Sequence, residues 1–379
     1  MFINGSPPGE DPARRAGSQR SAPDTCFTLD LRKPVVRSQL GHVRILFDHG
    51  MPFSLAHGGM QVQIEQTKVA LEQRGVEVDY LRWWDDQQRG DLVHYFEAPP
   101  AAYQSVARRK NIPLVTTVFF SETCNRSRKR LLAQAAVTRF LLALPFGHTI
   151  KNQLPWVSYR RSDCIIVGLQ AEKRVLQMVY GIPEDRIRLL PIGCESDFLN
   201  ARPSPRTGGF LVCVGTLCAQ KRTVELAEMA IAANVPMLFI GKPYSDDDPA
   251  WLRFQRLAAS SDLIRHKGYL RDRQELVASL QQARGSVLFS TFENWSIAAD
   301  EATACGLPLL LTDLPWARER FGASARYFNS RRPKENARIL RQFFEDAPEL
   351  PPAPRPVSWN RVAELLCGIY QDVLTRGAG

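Results

Sequence analysis

Glu293 and Glu301 stand with seven residues between them in "STFENWSIAADEATACGLPLLLTD", residues 290–313. Two carboxylates in one element most often mark a solvated face. Here small residues and then an apolar run follow them, as expected for a helix that leads into a buried strand. A glutamate placed where that helix begins turns the backbone N–H groups of Asn294, Trp295 and Ser296 outward as an anion site. Glu301, about two turns further on, offers two acceptor oxygens and suits a vicinal diol. A second stretch, "VCVGTLCAQKR" (212–222), ends an apolar strand at Gly215 and places Lys221 six residues later. Such a lysine is either a point charge for a phosphate or the solvated start of the next helix. A third, "HGGMQVQ" (57–63), carries the pair Gly58 and Gly59 at the head of a helix, a weak signal alone because paired glycines occur in many turns.

These groups need a scaffold, and the hydrophobic pattern supplies one. "HVRILFDHG" (42–50) reads as a buried strand, and "MQVQIEQTKVALEQRG" follows as an amphipathic helix with Val62, Ile64, Val69 and Leu71 inward and Gly75 at its end. "VEVDYL", "DLVHYF", "IPLVTTVFF", "DCIIVG" and "IRLLPIG" continue as strands, with helices expected over 100–110 and 170–180. After the Pro/Gly-rich "ARPSPRTGG" the alternation restarts with "FLVCVGTL", "PMLFIG", "IRHKGYL", "SVLFS" and "PLLLTD". Alternating strands and helices predict an α/β protein of two Rossmann-like, doubly wound parallel-sheet domains facing a central cleft. The expected division is a disordered tail over 1–40, an N-terminal domain over 41–200, a linker over 201–209, a C-terminal domain over 210–350, and a segment over 351–379 whose helix packs back towards the first domain.

Composition narrows the class. The 379 residues suffice for two domains, and no apolar run is long enough to cross a membrane. The N-terminus lacks the apolar core of a secretory signal, and eight cysteines occur without a C-x-x-C pair, so the expected setting is a reducing cytoplasm. A formal net charge of +10 favours an anionic partner. "YSDDDP" (244–249) invites a metal reading, but the triplet lies between two prolines in a polar loop and reads as solvated; no metal site is expected. In "NRSRKRLLAQAAVTRFLLALPFG" (125–147), Arg126, Arg128, Lys129 and Arg130 precede a leucine-rich helix, which suits either a core helix with a basic end or peripheral contact with an anionic membrane face.

Over residues 42–375 the chain resembles the GT-B glycosyltransferases, specifically the retaining family 4 type. The resemblance rests on Glu293, Glu301, Ala302, Cys305, Gly306 and Pro308, on Gly215 and Lys221, on Gly58 and Gly59, and on "LLPIGCESDF" (189–198). It implies that 41–200 is the acceptor-side domain and 210–350 the nucleotide-sugar-binding domain, that Lys221 stabilises the leaving diphosphate and that Glu293 holds the donor sugar. It further implies that Glu301 holds the ribose, that the amides of Asn294, Trp295 and Ser296 face the diphosphate, and that Gly215, Thr216, Gly58 and Gly59 line the donor site. The implied activity is metal-independent, retaining transfer of a hexosyl group from a nucleotide diphosphate sugar to an acceptor, in carbohydrate biosynthesis, with no further cofactor.

Three departures stand out. Thr216 and Gln220 replace an arginine common beside the glycine or the lysine. Ile192 and Glu195 replace an asparagine and an aspartate. Phe119 occupies the position of a histidine near the reaction centre, leaving His94, His49 and His57 as substitutes or as ordinary loop and core histidines. The rival readings are a nucleotide-sugar epimerase of the same fold and a degenerate sugar-nucleotide-binding or nucleic-acid-binding protein. Nucleic acid is not the expected partner, because dense aromatic and basic interleaving is missing.

Overall fold

Strands buried on both faces read as continuous apolar runs, as the inner strands here do; among the described residues twelve strands pair in two six-stranded, fully parallel sheets. The computed structural model describes residues 43–54, 58–120, 123–145, 155–329 and 332–377. The expected tail over 1–40, His57 and the end of the basic leucine-rich stretch at 146–147 lie outside the described residues.

The first sheet contains β1 (Arg44–His49), β2 (Glu77–Tyr80), β3 (Leu92–Phe96), β4 (Leu114–Thr117), β5 (Cys164–Val167) and β6 (Ile187–Leu189), in the order β2-β1-β3-β4-β5-β6. The second contains β7 (Leu211–Val214), β8 (Met237–Ile240), β9 (Ile264–His266), β10 (Gly285–Leu288), β11 (Leu309–Thr312) and β12 (Arg326–Phe328), in the order β12-β11-β10-β7-β8-β9. In each sheet the strand order reverses once, between β1 and β3 and between β7 and β10. Loops leaving the carboxyl ends of those pairs run in opposite directions and open a crevice.

Helix faces differ in one respect from the periodicity reading. In helix Gly59–Glu72 the buried positions are Ile64, Thr67, Ala70 and Leu71, whereas Val69 is 44% exposed. The inward stripe follows the 64, 67, 71 spacing, and Val69 lies off it. The stretch expected as one helix over 170–180 is an α-helix, Gln170–Val175, followed by a π turn, Leu176–Tyr180, that ends at the left-handed Gly181. The linker is firmly packed: the Ser204 hydroxyl donates to the carbonyls of Gln281 and Ala283, and Arg206 donates to those of Gly306 and Leu350. All seven described cysteines are buried and free.

The C-terminal helix Trp359–Gly377 returns to the first sheet. Trp359 covers Gly193, the amide of Cys194 donates to the Val357 carbonyl, and Tyr370 is fully buried. Its hydroxyl lies 2.6 Å from Nδ1 of His94, whose Nε2 lies 2.6 Å from the Thr117 hydroxyl. His94 is therefore a satisfied core residue with both ring nitrogens occupied, and it does not substitute for the histidine replaced by Phe119. Burial lowers its pKa to about 3 and keeps it neutral. Replacing Tyr370 with Phe leaves one of these buried nitrogens unpaired and should cost about 1–3 kcal/mol, read as a lower urea midpoint with an unchanged slope.

Candidate active site

A cleft of about 650 Å³ lies between the carboxyl ends of the two sheets. Gly58 and Gly59 reach it from the first sheet, as does Phe119 from the end of β4. Gly215, Thr216, Gln220 and Lys221 reach it after β7, Glu293 to Ser296 after β10, and Glu301 from the following helix. Every residue assigned to the site from the sequence thus lines one space.

Lys221 closes a short 3-10 turn, Ala219–Lys221, and its ammonium forms an ion pair with the buried carboxylate of Glu293. Burial pulls the lysine pKa down, but Glu293 outweighs it and holds the ammonium above its ordinary value. Lys221 is thus not the solvated start of a helix. The Ser290 hydroxyl also donates to Glu293, at 2.8 Å. Gln220, at a position where the resemblance calls for an arginine, joins the two loops instead: its carbonyl accepts from Thr291 N at 2.9 Å, and its side chain donates to the Phe292 carbonyl at 3.2 Å. Arg222 is turned aside onto the face of Phe289, 4.0 Å from the ring centroid. Arg273 and Lys242, which the sequence reading passed over, line the cleft and restore its positive charge. Arg273 could have been suspected, because Asp272 immediately before it is a helix-capping residue.

Glu293 does not begin the helix. The helix is Ile297–Ala304, and Ser296 caps it by accepting from the Ala299 amide. Asn294 and Trp295 therefore belong to the loop and not to the first helical turn. The indole of Trp295 is fixed from two sides, donating to Asp300 at 2.5 Å and lying under the Arg320 guanidinium at 4.5 Å. Across the cleft, helix Gly59–Glu72 starts at Gly58, which offers no side-chain cap and whose φ of 141° falls in the range that favours glycine. A Cβ on Gly59 would lie 3.7 Å from the Ile297 side chain, so two helix N-termini approach each other there. Their unpaired amides and partial positive charge suit a phosphate group. Gly241 matters for the same cradle, since a Cβ there would strike the Gly215 carbonyl oxygen at 1.9 Å.

Glu301 is buried, and burial raises its pKa to about 8; Arg273 opposes the shift, while Glu195 and Asp300 add to it. Arg273 is itself engaged by Glu195 at 3.1 Å. Among the aspartates of 246–248, Asp248 serves the fold: it caps helix Pro249–Ser260 by accepting from the Ala250 amide at 2.7 Å. Among the described residues no three His, Cys, Asp or Glu side chains converge as a metal-ligand group.

Comparison with known proteins agrees with this architecture. Residues 79–198 match the model of Glycosyltransferase Family 4. Sucrose-phosphate synthase from Thermosynechococcus elongatus superposes with a TM-score of 0.57 at 14% identity, covering 88% of this chain and 97% of that one. The fold is GT-B. Anabaena HepE in complex with UDP and glucose gives 0.55 at 15% identity, over 89% and 98% of the two chains. The lipopolysaccharide outer core galactosyltransferase WaaB, in its apo form, gives 0.56 at 13% identity, over 87% of this chain and 99% of WaaB. No curated protein matches the sequence.

The titration of Glu301 gives a sign that can be checked. Its folded pKa of about 8 lies above the ordinary 4.5, so the free GT-B protein holds the extra proton between those values. That contribution is fully present below about pH 4.5 and is lost as pH rises through 8. Glu301→Gln should flatten the fall in melting temperature between pH 6 and 9 by roughly 3 °C or more, measured without ligand.

Proposed function

We propose that this protein is a retaining glycosyltransferase that moves a hexosyl group from a nucleotide diphosphate sugar to an acceptor hydroxyl without a metal ion. The observation that carries the reading is the Lys221–Glu293 pair, held at the meeting of two helix N-termini with Glu301 in the same cleft. The acceptor oxygen bonds to the anomeric carbon as the bond from that carbon to the diphosphate oxygen breaks. The electron pair goes to the diphosphate, where Lys221, Arg273 and the helix amides meet the charge that develops. The acceptor proton passes to the departing phosphate oxygen, and attack on the face that the diphosphate leaves retains the configuration. Phe119 offers no base, so the chemistry depends on positioning and electrostatics. Glu293, exchanging its lysine for the donor's sugar hydroxyls, orients the ring, and Glu301 accepts from the ribose.

The acceptor is membrane-associated in this reading. Helix Arg128–Ala143 buries only Leu131 and Ala135, while Leu132, Val137, Phe140 and Leu144 are exposed, Phe140 by 66%. Arg126, Arg128, Lys129 and Arg130 stand at its N-terminal end. An apolar outer face beside a basic cluster suits peripheral docking on an anionic bilayer. Among the described residues no helix is long and apolar enough to cross one.

Thermal-shift titration with UDP, GDP, ADP and CMP, with and without magnesium, tests the donor site. One nucleoside diphosphate should raise the melting temperature without metal, and Glu301→Ala should abolish the shift. In turnover assays with the donor so identified, Lys221→Ala and Glu293→Gln should each lower kcat by about 10²–10³ while the fold persists. No shift with any nucleotide would remove the transferase reading. For docking, co-sedimentation with phosphatidylserine-containing vesicles should exceed that with neutral vesicles and fall about tenfold in Phe140→Glu; equal sedimentation of wild type and variant would discard it.

A further inference from the structure

Helix Gln170–Val175 begins without a cap of its own. Leu169, at the cap position, has no side-chain oxygen to accept from the first-turn amides. Glu172 supplies part of what is missing by reaching back, accepting from the amides of Gly168 at 2.8 Å and Leu169 at 3.0 Å. The same carboxylate accepts from the Phe120 amide at 3.2 Å, beside the Phe119 that lines the cleft. The amides of Gln170 and Ala171 are met from elsewhere. Both donate to Glu319, at 2.5 and 3.1 Å, and Glu319 stands on helix Pro315–Phe321, which follows β11 of the second sheet. Four successive amides of a turn in the first unit are thus shared between two carboxylates, one local and one from the other unit.

A second contact crosses at the same turn. The ring of Trp295 lies on Gly168, so close that a Cβ there would stand 3.0 Å from Cε3 of the indole. Trp295 belongs to the loop that brings residues 293–296 into the cleft. Arg320, next to Glu319 in the chain, joins the two contacts: it donates to Asp300 at 2.5 Å and lies 4.5 Å from the Trp295 ring centroid. Asp300 is fully buried and also accepts from the Trp295 indole. Trp295, Asp300 and Arg320 therefore face the turn 168–171 as one braced group, and Glu319 anchors it with charge-assisted hydrogen bonds to two amides. Glu319 is partly exposed, so it adds little to either apolar core. What it fixes is the relation of one sheet's loops to the other's.

We infer that Glu319 is a positioning residue for transfer: it pins the second unit to the turn 168–171, so that the Trp295 loop and the Phe119 side of the cleft are held in register. This assignment rests on the transferase reading for its effect on turnover, whereas the tie itself can be tested alone. Lys221, Glu293 and Glu301 all stand in the second unit, and none of them bonds to Glu319. Losing the tie should therefore spare nucleotide binding and impair the step that needs both units aligned.

The test combines hydrogen exchange and turnover on the full chain. In Glu319→Ala, amides over 168–175 and over 290–296 should both exchange about tenfold faster or more. Exchange over β7 and β8 should not change, which guards against misfolding. Release of nucleotide from UDP-glucose, UDP-galactose or GDP-mannose, with water as acceptor, should show kcat about tenfold lower while the nucleoside-diphosphate thermal shift is kept. Glu319→Gln, whose amide oxygen still accepts, should recover part of the rate. Gly168→Ala, whose methyl presses on the indole, should speed exchange over 290–296 while Gln170 and Ala171 stay protected. A change confined to 168–175 would overturn the assignment by making Glu319 a local cap, as would wild-type turnover in Glu319→Ala. Loss of the nucleotide shift in step with turnover would overturn it too. Should Glu319→Ala fail to fold, Gly168→Ala decides, and unaltered exchange over 290–296 counts against the tie. If wild type neither shifts with a nucleotide nor releases one, the transferase reading falls, and the exchange results alone decide the tie.

Discussion

A parallel sheet whose strand order reverses must open a crevice at the reversal, and this constraint governs the protein twice. In the second sheet the chain leaves β7 towards β8 and returns to β10 on the other side, so the loops carrying Lys221 and Glu293 diverge from neighbouring strands and meet again above them. In the first sheet β1 and β3 stand in the same relation, with Gly58 and Gly59 beyond the β1 loop. Short strands of three to six residues suffice, because the sheets only have to aim their carboxyl ends at one another. The chemistry lies in loops and helix ends, where backbone amides are unpaired.

Charges in the cleft are held in ion pairs. Lys221 is matched by Glu293, and Arg273 by Glu195. Each cation is partnered by a carboxylate, so neither charge is buried alone. Glu301 has no such cation in direct contact among the described residues, and its high pKa records the difference. A neutral carboxyl can remain in a dry pocket until donors of hydrogen bonds enter.

Much of this is legible in the chain. Continuous apolar runs such as "FLVCVG" and "CIIV" announce parallel strands, and the spacing of Gly215, Lys221, Glu293 and Glu301 places the site residues, because these features depend on local pattern. What depends on tertiary contact is not legible. His94 looks available for chemistry until Tyr370 and Thr117 occupy its nitrogens, and Tyr370 lies 276 residues away. Gln220 looks like a lost charge until the Thr291 amide and the Phe292 carbonyl show it to be a stitch between loops. The helix starts at Ile297 and not at Glu293 because Ser296 provides the capping oxygen, a competition that propensity alone does not resolve. Val69 reads as inward from its type, and only the observed helix face places it outside.

The return of helix Trp359–Gly377 to the first sheet has a consequence in time. During synthesis residues 43–198 emerge before the partners that complete their core, Tyr370 over His94 and Trp359 over Gly193. The second unit, spanning the strands from β7 to β12, lies wholly between them and can close while the first is still waiting. The first sheet is therefore begun before the second and completed after it, and until helix Trp359–Gly377 arrives its apolar floor needs shelter from other chains.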